Sequence, residues 1–308
     1  MKTARFLIFL LILSSLPNGF AQTAATAKIS GVVTDAQGAV VQGATVKLVN
    51  KATKQERTDA TNDEGRYVFA AIDPGLYDVT ATAQGFRTTL VSDVKAEISK
   101  AATLDITLQP GGVGEQVTIT AAGEVQLQRE DSSIGNVIEE DRITRLPTQQ
   151  RQVTELLRLQ PLTTTNGETA GSRFDQNTFT LDGIDVTDNV GFRGGFATVV
   201  PTPTESVEEF RVTVANPNAS FGRSAGAQVV LVTKRGTGAF HGSAYEYHQN
   251  DNLNANSWTN NRLDLDRPPL VDNRFGFSVG GPIWPEKLFF FTNYEGRRLP
   301  GTLQVNRV

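Results

Sequence analysis

The sequence predicts a mainly β protein with three successive parts: a small β-sandwich, an α+β domain and the first strands of a transmembrane β-barrel. Three observations support this prediction. Short runs in which apolar and polar residues alternate fill Lys28 to Pro110, with turn residues between them. The dipeptide Asp182-Gly183 separates two apolar runs farther along the chain. From Phe240 onward, aromatic residues become frequent and alternate with small or polar ones.

The length and charge of the chain limit its class. A chain of 308 residues is long enough for about two domains. Its formal net charge is −4, and it becomes −6 once Lys2 and Arg5 are removed with the predicted signal peptide. A weakly acidic chain lacks the basic face that nucleic acid binding needs. The absence of cysteine excludes both a disulfide framework and a lipidated cysteine.

Residues 1–21 read as a cleaved signal peptide. Lys2 and Arg5 precede the apolar run Phe6 to Leu13, and Gly19 and Ala21 have the spacing of a signal-peptidase site. The run is shorter than the ~20 residues that a membrane-spanning helix needs. We therefore expect export to the periplasm or outer membrane of a diderm bacterium.

Residues 28–110 are predicted to form a β-sandwich of about seven strands. The alternation is clear where Leu104, Ile106 and Leu108 share one face, and Asp73-Pro74-Gly75 is a typical tight turn. Sugar binding is one function for such a domain. We expect its three central aromatic residues to lie in the core instead, because they follow the apolar alternation: Tyr67, Phe69 and Tyr77.

Residues 111–122 are predicted to be a linker followed by a short isolated strand, EQVTITAA. An unpaired strand is suited to β-augmentation, in which a partner adds its own strand by main-chain hydrogen bonds. The alternative is that this segment is the last strand of the sandwich or the first strand of the next domain.

Residues 123–237 are predicted to form the α+β domain. Val153, Leu156 and Leu157 fall on one helical face, and Asp182-Gly183 is a strong signal for a two-residue hairpin turn. The aspartates at 182, 185 and 188 have a regular spacing, but the rest of a calcium-binding loop pattern is missing. We interpret them as turn carboxylates and predict no metal site.

The loop from Gly191 to Pro203 is rich in glycine and proline. It carries Phe192, Arg193 and Phe196, which we expect to be exposed. Loops on a rigid scaffold commonly bind ligands, so these three residues are candidate substrate contacts. A loop without a binding role is the alternative.

Residues 238–308 have the pattern of a barrel wall that is incomplete. Apolar residues such as Phe275 and Phe277 alternate with small or polar ones, which suits lipid on one face and a wet lumen on the other. A long loop and then a short turn separate three predicted strands, as outer-membrane barrels require. Trp284 and Tyr294 are expected at the membrane interface, with a soluble core as the alternative. Three strands cannot close a barrel, so we expect the chain to be the front part of a longer protein.

The residues of common catalytic sites are missing. His241 and His248 are the two histidines, and their odd spacing on a strand directs them to opposite faces. There is no cysteine and no phosphate-binding loop, and no His and Glu set resembles a zinc peptidase. We predict no enzyme activity and no cofactor.

Two long stretches resemble a known family. The stretch ESVEEFRVTVANPNASFGRSAGAQVVLVTKRGTGAFHGSAYEYHQ resembles the junction between plug and barrel in TonB-dependent outer-membrane transporters. The phrases ISGVVTDAQGAVVQGATVKL and TNDEGRYVFAAIDPGLYDVTATAQGF are similar to the carboxypeptidase-regulatory-like domain, a prealbumin-like sandwich. This order of domains resembles the Oar-like group.

The resemblance implies roles for particular residues. A TonB-type periplasmic energy-coupling protein would pair with a box formed by Val117, Thr118, Ile119 and Thr120. Phe192, Arg193 and Phe196 would contact substrate in outward-facing loops. Four cations would lock the plug to barrel carboxylates: Arg211, Arg223, Lys234 and Arg235.

The implied function is capture of a substrate at the cell surface and its import by energy-coupled movement of the plug. The cargo classes that remain open are siderophore, oligosaccharide, peptide and protein. The alternative function is a secreted or surface carbohydrate-binding or adhesion module without transport activity. A peptidase accessory chain is a third possibility.

Overall fold

The computed structural model describes residues 26–98, 100–111, 116–121, 132–146, 148, 151–188, 196–217, 219, 221–222 and 225–300. The predicted signal peptide lies outside these residues. The mainly β prediction is confirmed, because strands form most of the described secondary structure. No helix in the described ranges is long and apolar enough to cross a membrane.

The N-terminal sandwich has eight strands between residues 27 and 108, one more than expected. They are β1 (Ala27–Asp35), β2 (Thr45–Asn50), β3 (Glu56–Ala60), β4 (Arg66–Ile72), β5 (Gly75–Thr82), β6 (Thr88–Ala96), β7 (Ala101–Thr103) and β8 (Ile106–Leu108). One sheet has the order β4-β1-β7, with β8 also paired to β1, and the other begins β3-β2-β5-β6.

The extra strand arises because the predicted run through Leu108 is divided in two. β7 and β8 both pair in parallel with β1, but the chain is interrupted at Leu104 and Asp105. The Asp105 carboxylate accepts a hydrogen bond from the Val32 amide at 3.0 Å. Gly31 lies so close to the Leu104 carbonyl that a Cβ would be 1.8 Å from it, which only glycine allows.

The core between the two sheets is formed by the inward positions of the alternating strands. Tyr67, Phe69 and Tyr77 all belong to this core, as expected from their apolar alternation. The hydroxyl of Tyr67 donates to the Leu104 carbonyl at 2.7 Å, and that of Tyr77 donates to the Asp73 carbonyl at 2.8 Å. These aromatic residues therefore stabilise the fold and do not form an exposed sugar platform.

The strand predicted to be isolated is paired. β9 (Gln116–Thr120) runs parallel to β6, with Thr88 opposite Gln116 and Ser92 opposite Thr120. It extends the second sheet to the order β3-β2-β5-β6-β9, so it forms an edge of the sandwich. The prediction that this strand is isolated was wrong, because the sequence does not show that the edge of β6 is free to pair.

The central domain contains one mixed five-stranded sheet. Its elements are β10 (Ile134–Glu139), α1 (Glu140–Arg145), β11 (Thr178–Leu181), β12 (Ile184–Asp185), β13 (Val207–Ala215) and β14 (Gln228–Thr233). Three 3₁₀ helices lie between them, at Val153–Leu159, Phe174–Gln176 and Thr204–Ser206. The strand order is β10-β13-β14-β11-β12, and only β11 and β14 pair in parallel.

Two predictions for this domain are confirmed. β11 and β12 form the hairpin at Asp182-Gly183, where φ is 48° at Asp182 and 85° at Gly183, as a type I′ turn requires. The Asp182 carboxylate accepts from the amide and hydroxyl of Thr233, at 3.0 and 2.7 Å, so it stabilises the turn. Val153 and Leu156 lie on the buried face of a 3₁₀ helix.

The C-terminal sheet contains three long antiparallel strands in the order β15-β16-β17. They are β15 (His241–Asn250), β16 (Val271–Trp284) and β17 (Leu288–Arg298). The long connection between β15 and β16 contains a 3₁₀ turn (Asp251–Leu253) and a short helix, α2 (Trp258–Arg262). The sequence predicted only a long loop here, so α2 is a helical element that was not anticipated. Ser257 caps α2 by accepting a hydrogen bond from the Asn260 amide.

Candidate functional site

The C-terminal sheet has charged and hydroxyl side chains on the face that is buried. Asp272 and Arg274 are buried on this face, and Arg297 donates two hydrogen bonds to Asp272 at 3.0 and 2.9 Å. The Tyr245 hydroxyl donates to Glu295 on the same face at 3.3 Å. Polar groups are therefore covered by protein, whereas in a water-soluble sheet this face would be apolar.

The opposite face of the same sheet is uncovered, and it is apolar except toward the end of β15, where Glu246 and His248 lie on it. The cross-strand neighbours Phe277 and Tyr294 have ring centroids 5.9 Å apart, and both side chains are about half exposed. Other large apolar side chains extend this exposed surface along the strands and to the short turn: Phe240, Phe275, Ile283, Trp284 and Leu288. A surface of this size on a soluble monomer would be unfavourable in water.

The central domain contacts the polar face of the C-terminal sheet through Arg151. The Arg151 guanidinium lies 3.4 Å from the centroid of the Tyr247 ring and donates to Glu205 at 3.0 Å. Glu205 also accepts from the Tyr247 hydroxyl at 3.3 Å, and Arg151 donates to Thr204 at 2.8 Å. A cation, a carboxylate and an aromatic ring thus join two parts of the chain, and Glu205 is almost fully buried between them.

The N-terminal sandwich contacts the outer face of the central sheet through Ile98. Ile98 is 0% exposed and packs on Val230 and Val232 of β14. Its amide donates to Glu209 at 3.1 Å, and its carbonyl accepts from Arg211 at 2.8 Å. Because Glu209 pairs with Val232 and Arg211 with Val230 across β13 and β14, these four residues form one continuous binding patch, the Ile98 patch.

The charge of the Ile98 patch depends on pH. Burial raises the pKa of the Glu209 carboxyl from 4.5 to about 7, and the nearby Glu97 and Glu208 carboxylates add to this rise. The hydrogen bond from the Ile98 amide and the charge of Lys95 act in the opposite direction. Glu209 therefore titrates near neutral pH where the sandwich meets the central domain.

The four cations predicted to pair with barrel carboxylates have other partners where they are described. Arg211 binds the Ile98 carbonyl, Lys234 pairs with Glu140 of α1 at 2.7 Å, and Arg235 pairs with Asp73 of the sandwich. Within the described residues these three cations therefore have partners in the sandwich and the central domain, and their pairing with barrel carboxylates stays a prediction. Arg223 lies outside the described residues.

The predicted substrate contacts receive little support. Phe196 is only 7% exposed and lies under the guanidinium of Arg158, 4.5 Å from its ring centroid. It belongs to the central core, which corrects the expectation that it is exposed. Phe192 and Arg193 lie outside the described residues. Among the described residues, no group of three or more His, Asp or Glu side chains is arranged to hold a metal ion.

The candidate box residues lie on the edge strand β9. Thr118, Ile119 and Thr120 are exposed, and Val117 is half-buried. In the sheet order, β6 covers one edge of β9, and the opposite edge has no strand among the described residues.

The sequence analysis did not find Arg151, Glu205, Tyr247 or Ile98. A usable signal existed for the Ile98 patch: β14 is apolar at four consecutive positions, Val229 to Val232, and such a strand is covered on both faces. No local pattern marks Ile98 itself, because it follows β6 in a loop.

Comparisons with known proteins agree with this division of the chain. Residues 28–109 match the family model of the carboxypeptidase regulatory-like domain, and residues 232–306 match that of an outer membrane beta barrel domain. The TonB-dependent transporter Oar of Myxococcus xanthus is 24% identical to the chain over 322 residues. The chain is similar to this transporter along nearly its whole length. The match covers 94% of the chain but 29% of Oar, so the chain spans less than a third of that relative.

Two solved structures align with part of the chain. The siderophore receptor PirA of Acinetobacter baumannii aligns with a TM-score of 0.41 and 20% identity, covering 54% of the chain and 25% of PirA. The outer membrane transporter YddB of Escherichia coli aligns with a TM-score of 0.43 and 15% identity, covering 53% of the chain and 26% of YddB. Both overlaps are partial.

Replacing Arg151 tests the contact between the central domain and the C-terminal sheet. Arg151→Ala leaves Glu205 buried without its cation, so we expect the free energy of unfolding to fall by about 3–5 kcal/mol. Arg151→Lys should lower the free energy of unfolding by a smaller amount, because it keeps the positive charge. It should still have an effect, because lysine lacks the planar group that stacks on Tyr247. Urea unfolding of the detergent-solubilised chain measures both changes.

The control for that experiment is Arg173→Ala. Arg173 pairs with Asp175 at an exposed site, so its loss should change the free energy by less than about 1 kcal/mol. Equal effects of the Arg151→Ala and Arg173→Ala substitutions would contradict the assigned contact.

The raised pKa of Glu209 predicts a pH-dependent stability. The folded chain binds this proton more tightly than the unfolded chain, so the contribution is fully present below pH 4.5 and is lost as pH rises through about 7. The free energy of unfolding should fall by about 2–3 kcal/mol from pH 5 to pH 8 through this group. Glu209→Gln keeps an acceptor for the Ile98 amide but cannot ionise, so its unfolding midpoint should change less over this range. An identical pH profile for both proteins would exclude Glu209 as the source.

Proposed function

We propose that this chain is part of a TonB-dependent outer-membrane receptor that binds a substrate at the cell surface and imports it. In this proposal the C-terminal sheet is the start of the barrel wall, the central domain is the plug, and the N-terminal sandwich lies in the periplasm. The single observation that carries the proposal is the reversed polarity of the C-terminal sheet, which is apolar outside and ionic inside.

The dimensions of the apolar face suit an outer membrane. From Phe275 to Ile283 the strand extends about 26 Å, which a typical barrel tilt reduces to about 20 Å. The apolar band of outer-membrane barrels is about 25 Å tall. The Tyr294 hydroxyl is directed toward Gly296, near the charged end of the strand at Arg298, and Trp284 lies near the short turn. The position of Trp284 supports the expectation that its ring lies near a membrane interface, whereas Tyr294 pairs with Phe277 inside the apolar band.

The connections support the same orientation. The 20-residue stretch 251–270 joins β15 to β16, and a short turn at Pro285-Glu286-Lys287 joins β16 to β17. Long loops of outer-membrane barrels are extracellular and short turns are periplasmic. The sandwich contacts the C-terminal sheet near the start of β15, where the Gly238 amide donates to the Ala52 carbonyl at 3.0 Å. The sandwich would then lie on the periplasmic side.

The contact at Arg151 supports the assignment of the central domain as a plug. It lies on the polar face of the sheet, which is the lumen side of a barrel wall. The contact between Arg151, Glu205 and Tyr247 is compact and holds the plug against the wall. Because its groups are polar, water can solvate them once the plug has moved away. In this proposal it takes the place of the four cations expected from the sequence.

A TonB-type periplasmic protein is the proposed energy-coupling partner, and β9 is its proposed binding strand. β9 presents Thr118, Ile119 and Thr120 at the open edge of a sheet. A strand added there would gain about 1 kcal/mol for each main-chain hydrogen bond, which gives a reversible contact.

Charging the apolar face tests the proposed membrane location. Phe277→Arg puts a cation on the proposed lipid face, which destabilises insertion by about 2–4 kcal/mol near the midplane. We expect a large loss of protein from the outer-membrane fraction of a diderm host. The control is Val68→Arg on the sandwich, because Val68 and Phe277 are equally exposed, at 47% and 48%. Equal recovery of both variants in the membrane fraction would refute the lipid-facing assignment.

Blocking the edge of β9 tests the proposed partner. Thr118→Pro removes a main-chain donor from the open edge, because the Ala121 amide and the amides alternating with it face β6, so binding of a purified TonB C-terminal domain should be lost. Thr118→Val keeps the backbone donor and should retain binding, as measured by isothermal titration calorimetry. Unchanged binding by the proline variant would remove the box assignment from residues 117–120.

A further inference from the structure

On the basis of the proposed function, we propose that the sandwich transmits force. A pull on β9 would reach the central sheet through β6 and Ile98, and not solely through the chain that joins β9 to β10. This gives the carboxypeptidase-regulatory-like domain a mechanical role in coupling. Each step of the path is a contact between described residues.

The first step joins β9 to β6. The two strands pair in parallel over five residues, from Thr88 opposite Gln116 to Ser92 opposite Thr120. The Ala121 amide adds a hydrogen bond to the Ser92 carbonyl at 2.9 Å. A load along the strand axis acts on all these hydrogen bonds together. The pair therefore withstands a higher force than a strand pair whose bonds break one at a time from its end.

The second step leads from β6 to the Ile98 patch. β6 ends at Ala96, and Glu97 alone separates it from Ile98. Ile98 is held at three points, because its side chain is buried and its amide and carbonyl each have a charged partner on β13. Hydrogen bonds to charged groups are stronger than neutral ones. Load on β6 therefore arrives at Glu209 and Arg211.

The third step spreads the load through the central sheet. β13 is an interior strand, paired on one side with β10 and on the other with β14. Two exposed ion pairs, Lys95 with Glu139 and Arg235 with Asp73, add contacts between the sandwich and the central domain. The sandwich thus contacts a strand pair that lies next to the Arg151 contact, since Glu205 is two residues before the start of β13 at Val207.

The open edge of β9 makes this path compatible with partner binding. A partner strand adds to the edge opposite β6, so β9 does not have to leave the sandwich sheet. In the competing model, β9 detaches from β6 before it transmits force. A covalent link between β9 and β6 distinguishes the two models, because it prevents detachment.

The test uses a disulfide between Leu90→Cys and Thr118→Cys in the chain, which has no other cysteine. These positions are opposite each other in register and neither side chain is buried. DNA handles are attached through azide-bearing residues at Thr120 and Asn252, and the chain in detergent is pulled in optical tweezers. We expect the same first unfolding event in the force record whether the disulfide is oxidised or reduced. In that event the sandwich and the central sheet give way together.

Weakening the patch should divide that event in two. Ile98→Ala is expected to add an early step at lower force, in which the sandwich undocks before the central sheet opens. Ile98→Val should lower the force less, which keeps the test valid if the alanine variant folds poorly. The matched control is Ile184→Ala, because Ile184 is exposed and should leave the single event unchanged.

Two results would overturn the proposal. One is an early extension in the reduced protein that oxidation abolishes, because β9 then leaves β6 before load reaches the plug. The other is a force record of the Ile98→Ala variant that matches the unsubstituted chain. The handles replace the periplasmic partner, so a failure of TonB binding to β9 would refute the proposed coupling without changing these force records.

Discussion

The reversed polarity of the C-terminal sheet is the constraint on which the other features depend. Asp272, Arg274 and Arg297 form an ion network on the covered face, while Phe277 and Tyr294 are uncovered on the other. A charge network is stable inside a protein only when its hydrogen bonds are satisfied, and an aromatic surface is stable outside only where water is absent. In the proposed function, one face therefore meets a polar partner and the other meets lipid.

The central domain supplies the polar partner through a small contact. Arg151 stacks on Tyr247 and binds Glu205, which places its charge between a ring and a carboxylate and leaves little of it exposed. The contact is specific in geometry but involves few residues. This balance is suited to a domain that is held firmly at rest and has to move during transport, as the proposed function requires.

The sandwich covers the other face of the central sheet. Ile98 presents both an apolar side chain and two backbone groups, and the Ile98 patch provides apolar and charged partners for all of them. With β9 at the edge of the same sandwich, the proposed binding strand and the proposed plug are linked by paired and packed elements. The sandwich is thereby part of the coupling path in our proposal, and its relation to carbohydrate-binding folds is not needed to explain its presence.

The sequence by itself determined the local structure. Alternation of period two gave the strands and their two faces, and Asp182-Gly183 gave the hairpin with positive φ at both turn positions. It also indicated which face of β16 is apolar, because neighbouring side chains on a strand point in opposite directions. These features depend on residues within a few positions of each other.

Only the tertiary structure decided which distant groups meet. The pairing of β9 with β6, the burial of Phe196 under Arg158, and the partners of Arg211 and Arg235 join residues that lie far apart in sequence. Many different groups could pair with a given cation or with a given open strand edge. Which partner it takes is determined by the packing of whole domains, and a periodic pattern in the sequence carries no information about that packing.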